Sequence, residues 1–245
     1  MCGRYVLTDL EKFLQRQAWI RRPEPMLAPP RYNVAPAQDI LAVVRDKQAP
    51  EAGVLKAFRW GLVPSWAKDE SIGSRMINAR CETLTEKGSF ARALAKRRCL
   101  VPADAFYEWK KPSRRGQPKQ PFAIRLKDDR PFAFAGLWEV WHDPKHADRP
   151  PLFTCTIITC DPNPLVAQLH DRMPVILPES RYHDWLEVER VDAADAAGLL
   201  RPFPEQEMVI HPVDRRVGNV ANEGPSLLEP VSEDTSAQDS APTLF

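Results

Sequence analysis

Apolar residues along the 245-residue chain gather in short blocks rather than at the spacing of long helices. The blocks at 39–45, 54–60, 99–109, 121–126, 131–141 and 152–159 are rich in Val, Ile, Phe, Trp and Thr, which predicts strands. Cys2–Leu7 and Glu207–Val213 are expected to be the first and last strands. Thr8 and Glu11 form a T-x-x-E pattern that predicts a capped helix running to about Ala18, and Ser89 is expected to cap another running to about Arg98. Short helices are predicted at 163–169, 179–186 and 192–200. The Pro-rich stretch 21–38 reads as a wrapped loop, and Gly61–Gly73 as a loop exposing Trp66. Most connections are too short for repeated crossovers, so the expectation is an α+β protein with mostly antiparallel strands.

Composition supports a globular chain: 43% hydrophobic, 27% charged, with 25 Pro against 10 Gly. Residues 1–221 read as one domain and 222–245 as an acidic tail, rich in Ser, Glu, Asp and Pro, that is expected to be disordered. The net charge of +1 conceals that division. The tail holds five acids and no base; the remainder holds 34 basic residues against 28 acidic ones, or +6. Five cysteines without framework spacing argue against a disulfide scaffold, and no basic-then-apolar leader or membrane-length apolar run is visible. A cytoplasmic protein is expected.

Cys2 is the first candidate for chemistry. Removal of Met1 would leave a thiol and an α-amine on adjacent carbons, both nucleophilic near neutrality. The thiol could attack a carbonyl with the amine as base, or the amine could condense with an aldehyde and the thiol close a thiazolidine. A small buried cysteine without a role is the plainer reading of this residue alone. Asn78, Glu108 and His170 are further polar residues among apolar neighbours. Each candidate has a cation two residues on (Arg4, Arg80, Lys110, Arg172), which in extended chain shares its face and would suit an anionic backbone. Glu108 between aromatics fits a general acid–base of raised pKa, or an ion-pair partner. His170 fits a proton donor or a turn cap, and Asn78 an amine-orienting group or an Asx turn.

The motifs Met1-Cys2-Gly3-Arg4-Tyr5, Arg31-Tyr32-Asn33-Val34-Ala35-Pro36, Trp60-Gly61-Leu62-Val63-Pro64-Ser65-Trp66 and Asn78-Ala79-Arg80-Cys81-Glu82-Thr83 occur in that order. Arg98-Cys99-Leu100-Val101-Pro102-Ala103, Phe106-Tyr107-Glu108-Trp109, His170-Asp171-Arg172-Met173-Pro174 and Asn222-Glu223-Gly224-Pro225 follow. Together they resemble the SOS-response-associated peptidase (SRAP) family over residues 2–225. The resemblance implies a barrel-like β core with peripheral short helices. It also implies covalent capture of abasic sites in single-stranded DNA and at strand junctions. Cys2 would be the crosslinking nucleophile, Asn78 would position its amine, Glu108 would act as general acid–base, and His170 would stabilise the ring-opened sugar or shuttle a proton. Arg4, Arg80 and Arg172 would bind phosphates, and Trp66 and Pro36 would stack or wedge beside the missing base. Asn33, Thr159, Met173 and Pro174 complete the expected DNA-contact set. Self-cleavage after Met1 and strand scission at abasic sites are implied as well. The expected protein is a monomer without cofactor or metal, associated with the nucleoid when bound to DNA. Cys81 and Cys160 depart from the family pattern, standing where Ala and a hydroxyl residue are expected.

The main alternative is an N-terminal-nucleophile amidohydrolase of glutaminase type, whose chains also open Met-Cys-Gly; the chain lacks room for the second domain that such enzymes feed. Zinc binding by His142, His146, Cys155 and Cys160 is disfavoured, because Pro144 breaks the helix that would align the histidines. Residues 92–130 carry twelve Lys/Arg against four acids. Among them Lys110, Lys111, Arg114, Arg115 and Lys119 follow Glu108 and are expected to track a DNA backbone. The terminal Leu244-Phe245 faintly resembles a sliding-clamp-binding peptide.

Overall fold

A computed structural model describes residues 2–23, 29–49, 51–86, 88–112 and 118–232. The described strands are β1 (Tyr5–Leu7), β2 (Ile20–Arg21), β3 (Arg31–Val34), β4 (Asp39–Arg45), β5 (Gly53–Trp60), β6 (Asn78–Arg80), β7 (Arg98–Ala103), β8 (Ala105–Lys110), β9 (Gln120–Leu126), β10 (Phe132–Trp141), β11 (Leu152–Cys160), β12 (Met173–Pro174), β13 (Ile176–Leu177) and β14 (Met208–Pro212). The α-helices are α1 (Leu10–Arg16), α2 (Gly88–Lys96), α3 (Pro164–Ala167), α4 (Tyr182–Leu186) and α5 (Ala193–Gly198).

Five strands close a barrel. β4 pairs with β5, β5 with β11, β11 with β10, β10 with β7, and β7 returns to β4. The β5–β11 pairing is parallel and the other four are antiparallel. Closure removes the open edges that an unpaired sheet would present. A second, antiparallel sheet has the order β14-β9-β8-β1-β3. The two sheets share a core: Tyr5 of β1 packs 5.5 Å from Trp60 and 5.9 Å from Phe134, both on barrel strands. The architecture is α+β with short helices at the periphery, as expected. Phe13 of α1 meets Tyr182 of α4, and the Trp185 indole donates to the Cys99 carbonyl, which docks α4 on β7.

Several elements differ from the pattern-based expectation. The run 99–109 is two strands: Asp104 interrupts it, sending β7 into the barrel and β8 into the second sheet. Asp104 accepts from the backbone N–H groups of Thr8 and Asp9 and from the Thr8 hydroxyl. Thr8 is therefore occupied, and Asp9 caps α1 by accepting from the Lys12 N–H, so the T-x-x-E pattern is not a capping box here. Part of the Pro-rich 21–38 stretch is β3, ordered by pairing with β1. Arg98 lies in β7, not in a helix. It is buried, and its guanidinium donates to the carbonyls of Glu187, Val191 and Asp192 beyond α4. β6, β12 and β13 carry too few residues to show a pattern and exist because β11 and β10 offer partners.

The packed body also continues past residue 221. Glu223 accepts from the Tyr32 N–H, Leu227 is buried with Tyr107 and Val217, and the Val231 N–H donates to the Pro212 carbonyl. The remainder of the expected tail, including Leu244 and Phe245, lies outside the described residues, as do Arg114 and Arg115.

Candidate active site

The start of β1 carries Cys2 toward β8. Tyr5 pairs with Phe106 and the Tyr107 N–H donates to the Arg4 carbonyl at 3.0 Å, so the chain leading back to Cys2 runs alongside Glu108. Cys2 is fully buried, with Sγ 4.0 Å from the Arg4 carbonyl. Burial raises its thiol pKa well above the ordinary range, and the Glu108 carboxylate adds to the rise. Glu108 is itself 2% exposed, and burial lifts its pKa to about 7. The negative charge of Asp171 contributes to that rise while Lys119 opposes it, so the 170–172 turn and the basic segment after β8 both act on this carboxyl.

His170 is held in that turn. The Arg172 N–H donates to its Nδ1 at 3.0 Å, which leaves Nε2 as the protonated nitrogen of the neutral ring. The Asp171 carboxylate stands 2.9 Å from the same Nδ1 and favours the charged ring. Burial outweighs it and lowers the His170 pKa, with Lys111 adding to the fall. His170 is thus biased toward neutrality and Glu108 toward its acid form, an opposed pair suited to proton transfer near pH 7.

Asn78 reaches the site from the barrel side. β6 lies parallel to β11 with Asn78 opposite Ile157, and Asn78 Nδ2 donates to the Ile157 carbonyl at 3.3 Å. Its Oδ1 is buried without a hydrogen-bond partner among the described residues, an acceptor in want of a donor. Trp60 joins the halves: its ring packs on Tyr5, and its indole N–H donates to the carbonyl of Ile77, next to Asn78.

The expected phosphate ligands fall into two groups. The Arg80 side chain is exposed and makes no hydrogen bond or ion pair among the described residues. Arg4 and Arg172 are engaged internally. Arg4 donates to Asn33 Oδ1 and to the carbonyls of Val217 and Gly218. Arg172 bonds both carboxylate oxygens of Glu82, Asp161 and the Thr159 carbonyl. Asn33 is buried, its amide spent on the carbonyls of Val217, Asn219 and Asn222. Thr159, Met173 and Pro174 are buried too. Trp66 is 64% exposed beside a hollow of about 380 Å³ lined by Ser65, Ser89 and Arg92. Pro36 is half-buried at a turn in which Ala37 takes φ 65°.

Much of the basic stretch 92–130 is neutralised within the fold: Arg97 pairs with Glu139, Arg125 with Asp129, and Arg130 with Asp128 and Glu207. Lys110, Lys111 and Lys119 are exposed, and Lys119 acts electrostatically on Glu108 and Lys111 on His170. No group of three or more potential metal ligands assembles among the described residues. No described helix is long and apolar enough to cross a membrane. Three contributors escaped the sequence reading: Glu82 and Asp161 as partners of Arg172, and Asp171 as the charge acting on Glu108. Glu82 and Asp171 sit inside quoted motifs; Asp161 gave no signal.

Fold and site together define a single-domain α+β protein in which a closed five-stranded barrel and a second sheet enclose a cysteine at the chain's start beside an acid titrating near neutrality. The chain belongs to the SOS response associated peptidase (SRAP) family, whose model matches residues 1–220. It is 44% identical over 239 residues to the abasic site processing protein YoqW of Bacillus subtilis, covering 94% of this chain and 99% of that one. It is 33% identical over 230 residues to the abasic site processing protein HMCES of Gallus gallus, covering 82% and 66%. The crystal structure of a protein from Bacteroides thetaiotaomicron superposes with a TM-score of 0.81 at 25% identity, covering 94% of this chain and all of the other.

Proposed function

We propose that this chain captures abasic sites in single-stranded DNA, including sites at strand junctions, by a covalent bond from Cys2. One observation carries the reading: a buried thiol at position 2 lies in the field of a carboxyl group whose pKa is about 7. Relatives bearing the name abasic site processing protein support the substrate. An abasic site offers no base edge, so recognition rests on phosphates, stacking and the aldehyde.

Once Met1 is removed, the Cys2 amine adds to the C1′ aldehyde to give a carbinolamine. Asn78 Oδ1 accepts from that amine and orients it. Glu108, in its acid form, donates a proton to the departing hydroxyl, and water leaves to give the imine. The thiol then adds across the C=N bond, its proton passing to nitrogen, and a thiazolidine closes; aldehyde and aminothiol have become ring plus one water. His170, neutral with its proton on Nε2, donates to the O4′ side of the opened sugar. Fixed placement of the aldehyde beside Cys2 supplies several kcal/mol toward condensation. Arg80, Lys110, Lys111 and Lys119 steer the phosphates, and Trp66 and Pro36 stack beside the gap. The same pocket would serve self-cleavage of the Met1–Cys2 bond, with water as the second reactant, and β-elimination from the imine.

The test is incubation of the purified protein with single-stranded DNA carrying one abasic site, read by denaturing gel and intact mass. A crosslink formed without borohydride on Cys2-initiated protein is expected. It should vanish in Cys2→Ala and in protein retaining Met1, while Cys2→Ser should be trapped only by borohydride. Absence of a crosslink with a free Cys2 terminus, or glutamine hydrolysis in its place, would overturn the reading.

A further inference from the structure

Two cysteines that the proposed chemistry does not use come together at the rim of the site. β6 and β11 run parallel, pairing Asn78 with Ile157, Ala79 with Ile158 and Arg80 with Thr159. The next residue on each strand is a cysteine, Cys81 and Cys160. Arg80 is still extended at φ −82° and ψ 127°, so the chain delivers Cys81 beside the end of β11, and the Cys81 side chain is close enough to act electrostatically on Cys160. Neighbouring strands lie about 4.8 Å apart, within the roughly 4.4–6.8 Å between Cα atoms that a disulfide spans.

Arg172 clasps the same spot. Its guanidinium bonds Glu82, the neighbour of Cys81, and both neighbours of Cys160, through the Thr159 carbonyl and the Asp161 carboxylate. Cys81 is half-buried and open to a small reagent, whereas Cys160 is buried behind it. Cys2, Cys99 and Cys155 are buried as well. Burial first, then Glu82, raises the Cys81 thiol pKa to about 11. Burial first, then Cys81, raises that of Cys160 to about 12, so each thiol feels its surroundings as one cluster. Scarce thiolate makes for slow exchange rather than a fast peroxide response.

We propose that Cys81 and Cys160 form a reversible intramolecular disulfide with glutathione disulfide as oxidant. The Cys81 thiolate attacks glutathione disulfide and releases one glutathione, leaving a mixed disulfide. The Cys160 thiolate then attacks the Cys81 sulfur and releases the second. Two S–H bonds are lost, one protein S–S bond is formed, and the protons leave on two glutathiones. The bond staples the 3₁₀ turn Cys81–Thr83 to the end of β11 and immobilises the strand carrying Asn78 and Arg80.

The experiment treats the native full chain with glutathione disulfide at mildly alkaline pH, quenches with acid, and reads intact mass, a peptide map and amide hydrogen exchange. The expected product is about 2 Da lighter than the reduced protein, yields a peptide joining Cys81 to Cys160, exchanges more slowly across 78–82, and reverts with a thiol reductant. Cys81→Ser should form no such bond. A glutathione adduct that persists on Cys81, a bond between other cysteines, or no reaction would overturn the proposal. The wild-type peptide map decides by itself if the variant fails to fold.

Discussion

Glu108 is where chemistry and stability oppose each other. Its folded pKa of about 7 stands above an ordinary value of 4.5. Below pH 4.5 the acid is protonated in both states. As pH climbs from there toward 7, the unfolded chain releases the proton and the folded chain keeps it, so stability declines; above 7 the loss is complete. The ceiling on that loss is about 3 kcal/mol, from a shift of about 2.5 units. Glu108→Gln keeps the shape without the charge. It should melt higher than wild type at pH 8, match it near pH 4, and lose crosslinking at every pH; calorimetry across pH checks the first two. Position 2 and the flanking aromatics were enough to name Cys2 and Glu108 as candidates, but only the run of motifs in order lifted Cys2 above the plainer reading of a small buried cysteine. The internal engagement of Arg4, Arg172 and Asn33 was not legible. Their partners are backbone carbonyls and acids up to 214 residues away, which no local pattern reports.

Among elements, the longer strands were legible and the very short ones were not. A run of seven to ten residues rich in β-branched and aromatic side chains declares itself, whereas β6 is three residues whose conformation is dictated by the stretch of β11 beyond its pairing with β5. The 99–109 run misled because composition stays apolar through the corner, and only the polar Asp104 marks the change of sheet. The loop bearing Trp66 is closed by a contact just as local and just as easily overlooked. Gly61 has φ 131°, and a Cβ there would stand 2.7 Å from the Gly73 carbonyl oxygen; a Cβ on Gly73 would stand 2.8 Å from that of Gly61. Gly61→Ala combines a forbidden backbone region with a backbone clash and should cost about 3 kcal/mol. Urea denaturation measures it, and a loss under about 1 kcal/mol would mean that the two backbones part easily.

The whole molecule is a barrel packed on a second sheet through Tyr5, with residues 213–231 as a clasp over that second sheet. Residues 213–231 lie over the start of the chain through Arg4, Asn33 and Tyr32, which is why the boundary that composition suggests at 221 falls inside the packed body. Truncation after Ala221 removes buried Leu227, the Glu223 carboxylate and the Val231 hydrogen bond. Relative to truncation after Ser232, it should cost on the order of 5 kcal/mol and lower the melting temperature accordingly. Equal melting temperatures for the two truncations would show the clasp to be ornamental. The charge division is altered in the same way, since Glu223 and Glu229 belong to the folded body and only the last three acids lie beyond it.

The Arg4 bonds to Val217 and Gly218 also bear on how the protein is made. Synthesis is vectorial, so the carbonyls that anchor Arg4 leave the ribosome more than two hundred residues after it. Until they do, Cys2 stands beside an unanchored arginine, and the strand that carries it is made long before the segment that holds it in place.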